Sequence, residues 1–317
     1  MIGYLARRLL YVVFTLWLVT VIVFLVTHLL PGNVAVMILG QYQNVEQLRA
    51  LEATLGLNDP LPVQYWRWLR GILHGDLGTS VVMDRPVAPI LWERIERSAP
   101  VAVGALLVTA LAGIVLGTVA AVHENRPVDH VVSIASFLGI SVPEFFWGIV
   151  LILVVSGYFE LLPSSGYVSP TKDLFGWLAR LVLPVITLAL TLVAHTSRLT
   201  RSSMLDVLRS QYVRAARARG LPERSVVYRH ALRNALLPTV TVLAGNFGWL
   251  MGGLVVVETV FAFPGLGGLL VFAIQQRDIP LVEAAIVVIA GFYALANVAA
   301  DVTYTYLDPR IRYSDMR

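Results

Sequence analysis

From Leu9 to Leu30 the chain runs 22 residues without one Asp, Glu, Lys or Arg. At about 1.5 Å rise per residue that run makes a helix roughly 33 Å long, enough to cross a hydrocarbon core of about 30 Å. Five more apolar stretches follow, at about 101–122, 131–159, 179–194, 237–261 and 281–304. The pattern predicts an all-α integral membrane protein with six transmembrane helices. Composition agrees, since 57% of the residues are hydrophobic and 14% charged, against about 25% charged in soluble domains. The first run follows Arg7 and Arg8 and ends in Leu29-Leu30-Pro31-Gly32. It is longer than a signal peptide's apolar region of about 7–15 residues and lacks a small-residue cleavage site. It reads as a retained span with a cytoplasmic N-terminus.

The connections carry their own punctuation. Residues 31–100 form the longest polar segment, read as a helical extracytoplasmic insertion. Asn44-x-x-Gln47 has the form of a capping box opening a helix to about Leu55, closed by Gly56. Asp59-Pro60-Leu61-Pro62 starts a second helix bearing Tyr65, Trp66, Trp68 and Leu69. Its aromatics suit either a small subdomain core or the membrane interface. Gly75 to Ser80 is a turn, and a third short helix, Ala88 to Arg97, leads back to the bilayer. In span two, Gly113 and Gly117 form a GxxxG pair that permits close helix approach. Span three is interrupted at Gly139-Ile140-Ser141-Val142-Pro143-Glu144, where proline should bend it. Span five carries Gly245, Gly248, Gly252 and Gly253 around Asn246.

Between spans four and five, Arg198 to Pro238 holds nine arginines and only two acids, Asp206 and Glu223. So basic a loop between spans should face the cytoplasm. The resulting topology, both termini inside, places fifteen of the 24 basic residues on the inner side. The loop reads as helix, break, helix. Thr200 to Arg219 lacks Gly and Pro, Gly220 stops it, and Pro222 with Glu223 suits the next first turn. Two function classes are excluded. The sole lysine, Lys172, has no Gly-x-x-x-x-Gly before it, so the chain has no Walker A loop. Without cysteine there is no disulfide framework or cysteine metal site. Because the arginines segregate by loop, the net charge of +4 points to topology, not nucleic acid.

Tyr212-Val-Arg-Ala-Ala-Arg-Ala-Arg-Gly-Leu221, followed by His230-Ala-Leu-Arg-Asn-Ala-Leu-Leu-Pro238, resembles the cytoplasmic EAA loop of ABC importer permeases. The similarity is to the branch that imports dipeptides, oligopeptides and nickel. Further matches are Tyr4-Leu-Ala-Arg-Arg8, Leu55-Gly-Leu-Asn-Asp-Pro60, Gly75-Asp-Leu-Gly-Thr-Ser80, Arg198-Leu-Thr-Arg-Ser-Ser-Met204, Val257-Glu-Thr-Val-Phe261 with Pro264-Gly-Leu-Gly267, and Asp308-Pro-Arg-Ile311. The first, third and fifth of these resemble the B-type subunit. In place of the general Glu-Ala-Ala the chain has Arg214-Ala215-Ala216, and Pro238 lies 18 residues past Gly220. Roles of that glutamate therefore have no counterpart here.

The resemblance implies a single permease domain over 1–317, of the type I ABC importer kind, with a coupling loop at 195–236. It implies pairing with a C-type permease subunit, two cytoplasmic ATPases that bind the ATP and Mg, and an extracytoplasmic substrate-binding protein. The location implied is the bacterial inner membrane, in contact with lipid. No catalytic residue, metal or cofactor is expected on this chain, and no nucleic acid. The coupling residues it implies are Arg214, Ala215, Ala216, Arg217, Gly220, Leu221, Pro222 and Arg224. The arginines could pair with acids in a partner groove, and the small residues would let the elbow enter it. Dipeptides and oligopeptides are the expected cargo, with nickel chelates and glutathione as alternatives.

Residue-level alternatives stay open. Ser141 and Glu144 are either translocation-path residues or part of a satisfied kink. Asn246 is either a path residue or interhelical glue. Glu258 either supports the Pro264 turn or touches substrate. His195 and His230 have no metal spacing. An intramembrane protease would need Ser141 or Ser156 with a histidine on a neighbouring span, and His195 sits at a span's end. A secondary transporter would carry paired intramembrane charges or inverted repeats; neither is evident.

Overall fold

A computed structural model describes residues 2–29, 46, 49 and 58–307; for 2–6, 244, 247 and 300–307 it describes the backbone alone. The capping box at Asn44–Gln47, the Gly56 stop and the 308–317 tail lie outside the described residues. Among the described residues four helices are long and apolar enough to cross a membrane, over Arg7–His28, Val87–Val122, Leu174–Leu208 and Ile279–Ala299. Two bent helix pairs make six crossings if each pair counts as one. The described chain separates into two compact units, Met1–Arg97 with Gly265–Ala294, and Ser98–Pro264 with Leu295–Arg317.

The first unit begins with α1 (Ile2–Leu29). The short helix α2 (Leu61–Leu73) follows Pro60 and has no fully buried residue. Tyr65 and Thr20 share a hydroxyl–hydroxyl hydrogen bond of 2.9 Å, and the Tyr65 and Trp68 rings lie 5.4 and 5.7 Å from that of Phe24. Two of the three predicted aromatics thus clasp a membrane helix, while Trp66 points outward, 62% exposed. A two-residue hairpin, β1 (Thr79–Ser80) and β2 (Arg85–Pro86), pairs antiparallel. Its turn is tied down by Asp278, which is fully buried. That carboxylate accepts from the Ser80 hydroxyl and from the backbone N–H groups of Val81, Val82 and Leu281. Four donors offset the desolvation of an acid with no cation nearby in that set. Val87, Ile90 and Leu91 of α3 (Val87–Val122) then pack with Leu266 and Leu269 of α10 (Leu266–Gln275) and Leu281 of α11 (Ile279–Leu307).

Here α3 corrects one expectation. The predicted separate helix Ala88–Arg97 is continuous with span two, straight through Pro100. A proline removes one helical hydrogen bond, but no stop residue adjoins it, so the helix carries on.

In the second unit α4 (Pro127–Ser141) and α5 (Glu144–Leu151) are divided at Val142–Pro143. A π-helical stretch, Ile152–Tyr158, extends α5. The axes on either side of the break differ by 108°, so the predicted proline bend is a corner. The central element is α6 (Leu174–Leu208), capped by Asp173, whose side chain accepts from the Gly176 N–H at 2.9 Å. It buries Leu183, Leu188 and Leu192 against Val101 and Ala105 of α3 and Leu250, Leu254 and Val257 of α9 (Leu232–Val260).

The GxxxG pair works as expected. A Cβ on Gly117 would stand 2.6 Å from Thr200 Cβ and 3.1 Å from the Arg201 nitrogen, and one on Gly113 would stand 2.7 Å from Thr196 Cβ. These contacts leave no room for a side chain, and part of the obstruction is backbone. Overpacking of a well-filled core costs about 1–3 kcal/mol, and Gly117→Val should fall at the upper end. Thermal unfolding of the detergent-solubilised protein should drop by several degrees, with less monodisperse material; an unchanged melting point would contradict the packing.

Candidate functional site: a two-helix lever and a broken span

Nothing in residues 195–208 stops a helix, since the stretch has no Gly or Pro. Accordingly α6 runs on past the apolar region to Leu208. The predicted helix Thr200–Arg219 is therefore two elements. Its first half is the end of α6, and after Arg209 and Ser210 comes α7 (Gln211–Ala218). Periodic burial explains the extension, because Thr196, Ser197, Thr200 and Met204 all face inward.

The break at Gly220 falls as predicted. Gly220 has φ +77°, and its N–H donates to the Arg217 carbonyl at 2.9 Å while that of Leu221 reaches the Ala216 carbonyl at 3.4 Å. This left-handed stop favours glycine. Pro222 is the N-cap of α8 (Glu223–Ser225). The chain then continues through a π-helical stretch, Val226–Ala231, directly into α9. The lever thus joins α6, a spanning candidate, to α9, which belongs to a helix pair bent by 58° that passes the same test as one span, and the helix is unbroken from Glu223 into Leu232.

Its inner face is apolar. Val213 and Ala216 of α7 meet Val226, Val227 and Ala231, with Met204 of α6 and Ala121 of α3. Each fully buried valine contributes about 1.5–3 kcal/mol. The Arg217–Glu223 pair across the elbow, at 2.6 Å, has partners 41% and 58% exposed, and such surface pairs contribute about 0.2–1 kcal/mol. Packing, not the ion pair, sets the angle of the elbow. The Glu223 hydrogen bond raises the already high pKa of Arg217, so its charge is secure.

The coupling residues divide by face. Arg214, Ala215, Arg217, Gly220, Leu221, Pro222 and Arg224 are exposed, whereas Ala216 is turned inward. The small size expected to suit Ala216 to a partner groove instead serves the lever's own core. Arg219, Arg229 and Arg233 add to the exposed positive face. The Arg214 guanidinium also caps α6 by donating to the Arg209 carbonyl at 2.9 Å.

A link beneath the lever was not legible beforehand. Asp129, 2% exposed, accepts from Arg201 Nε at 2.5 Å and Nη2 at 2.7 Å. The Asn125 N–H at 3.0 Å completes its shell, with Ser133 Oγ at 3.4 Å. Glu124 pairs with Arg209 at 2.5 Å. The turn between α3 and α4 is therefore fastened to the end of α6 that carries the lever. In sequence Asp129 marks only a short turn, and its partner lies 72 positions away.

The predicted path residues do not form one cluster. Ser141 ends α4 and Glu144 opens α5. Across from Glu144 stands α9, where a Cβ on Gly253 would meet the Glu144 carboxylate oxygen Oε2 at 2.5 Å. Asn246 lies seven residues earlier on α9, its Nδ2 buried and without a partner among the described residues. Glu258 is buried, and its carboxylate accepts from Ser98 Oγ at 2.5 Å; its carbonyl accepts from the Phe263 N–H at 2.8 Å. It supports the turn before Pro264. Among the described residues no group of three or more His, Asp or Glu could hold a metal.

Spanning helices, a corner break and a basic helical lever make this a multi-pass membrane protein, and its relatives are permeases. Residues 113–313 match the family model described as "Binding-protein-dependent transport system inner membrane component", and residues 1–104 match its N-terminal companion. The chain is 37% identical over 310 residues to the "Probable peptide ABC transporter permease protein" of Sinorhizobium fredii, covering 98% of this chain and 99% of that protein. It is 39% identical over 313 residues to the glutathione transport system permease protein GsiC of Salmonella paratyphi A, covering 99% and 100%. The chain belongs to this family, as an ABC importer permease of the peptide and oligopeptide branch.

Proposed function

We propose that this chain is the B-type half of the translocation pathway of an ATP-driven peptide importer in the bacterial inner membrane. It acts as one permease domain over 1–317, with spans at 9–30, 101–122, 131–159, 179–194, 237–261 and 281–304. The 31–100 insertion lies outside, and the 195–236 loop and both termini lie inside, where the arginine excess belongs. Its partners are a C-type permease subunit, two ATPases that hold ATP and Mg, and an extracytoplasmic substrate-binding protein. The chain itself performs no covalent chemistry and binds no cofactor.

The observation that carries this reading is the lever. It has an apolar inner face, an exposed basic outer face, and an unbroken helical run from its elbow into α9. An acidic groove on an ATPase would meet Arg214, Arg217 and Arg224, with Ala215, Gly220, Leu221 and Pro222 at the contact. Ala216 would set its angle from within. Closure of the ATPases would push on α6 and α9 together, and rigid rocking of packed helices is how alternating access proceeds. Ser141, Glu144 and Asn246 mark the path at the broken third span and the glycine-rich α9. Peptide cargo is favoured by the names of the relatives, glutathione being itself a γ-linked tripeptide; a nickel chelate is the less favoured alternative.

The complete importer in proteoliposomes should take up radiolabelled trialanine only with ATP and binding protein, and this chain alone should take up none. Uptake by the single subunit would overturn the reading.

A further inference from the structure

We propose that the Glu144 carboxylate receives the ammonium group of the peptide cargo within the membrane. This rests on the peptide-import reading above. Fifteen residues of α4 precede the break, about 22 Å of helix, which is shorter than a hydrocarbon core of about 30 Å, and we take Glu144 to lie within that core. An ionised carboxylate at that depth is costly unless it is paired, and such residues face bundle interiors or aqueous cavities.

Three other buried acids among the described residues are answered from within the chain. Asp129 has Arg201, Glu258 has Ser98, and Glu283 accepts from Thr27 Oγ1 at 2.6 Å. Glu144 has no hydrogen bond or ion pair among the described residues. It is nonetheless held in place by shape. The bare face of Gly253 leaves the room the carboxylate occupies, since a Cβ there would stand 2.5 Å from Oε2 and 2.8 Å from Leu188 Cδ1. Its partly exposed position leaves it open to a visiting group. No described residue answers it, and the proposed partner comes from outside the chain. A peptide carries a primary ammonium whatever its side chains, so one carboxylate could recognise peptides without regard to sequence. A cation on the neighbouring permease subunit is the rival partner, and it predicts a different result.

The test uses the complete importer, wild type and with Glu144→Gln, Glu144→Asp or Gly253→Ala, in proteoliposomes supplied with trialanine. Glu144→Gln should assemble normally by gel filtration and raise the KM for trialanine at least tenfold. Glu144→Asp should recover part of that loss, and Gly253→Ala, which displaces the carboxylate without removing it, should raise KM as well. Unchanged KM in Glu144→Gln would overturn the inference, as would a lower maximal rate at constant KM. Failure of Glu144→Gln to assemble would assign the carboxylate to the neighbouring subunit and equally overturn it. If the wild-type importer takes up no trialanine, the peptide reading falls, and the inference with it.

Discussion

Gly220→Trp is expected to give a folded, inserted permease that no longer couples ATP hydrolysis to uptake. A Cβ at position 220 meets nothing within 4 Å, so the indole does not disturb the lever's own core. Holding an L-residue at φ +77° costs about 1–2 kcal/mol, a loss that a packed helical domain can absorb. The bulk instead projects from the elbow, between the exposed Arg219 and Leu221, where the ATPase is proposed to dock. ATP-driven trialanine uptake should fall at least tenfold, and substrate-stimulated ATPase activity should be lost. Gly220→Asn separates strain from bulk, because asparagine tolerates the left-handed region; it should keep most of the transport. Wild-type uptake by the tryptophan variant would show that the elbow is not the docking point.

Asp129→Ala should be the most destabilising single change near the lever. It removes four hydrogen bonds at once and leaves Arg201 without its counter-charge. Breaking a buried pair by deleting one partner costs about 3–5 kcal/mol. Arg201 is 30% exposed, so water can reach part of the guanidinium, and the lower end of that range applies. The midpoint of thermal unfolding should fall and the yield of folded protein with it. Replacing both partners, Asp129→Leu with Arg201→Met, should recover much of the loss, because an apolar pair leaves no charge uncompensated. If the single variant melts like the wild type, the link does not fasten α4 to α6.

Much of the fold could be read from local pattern. The apolar runs, the Pro143 corner, the Gly220 stop and the close approach at Gly113 and Gly117 each depend on residues within a few positions of one another. Where helices end was harder. Span four is bounded in sequence by its apolar run, yet α6 continues to Leu208 because its polar turn still buries Thr200 and Met204. α3 continues through Pro100 because no stop residue adjoins that proline. At the candidate site, sequence placed the arginines and the elbow but not their facing. Ala216 turns inward because Val213 and Val226 draw that side of α7 into a core.

By itself the sequence determined that this chain is helical, membrane-spanning and bent at named residues, since hydrophobic length, proline geometry and the glycine left-handed turn act over a few neighbouring residues. Only the tertiary structure decided that Ser80 meets Asp278 across 198 positions, that Arg201 answers Asp129, and that Gly253 makes room for the Glu144 carboxylate. Those pairings depend on which helix faces pack together. Helical periodicity offers several faces, and the choice among them is made by burial summed over the whole bundle.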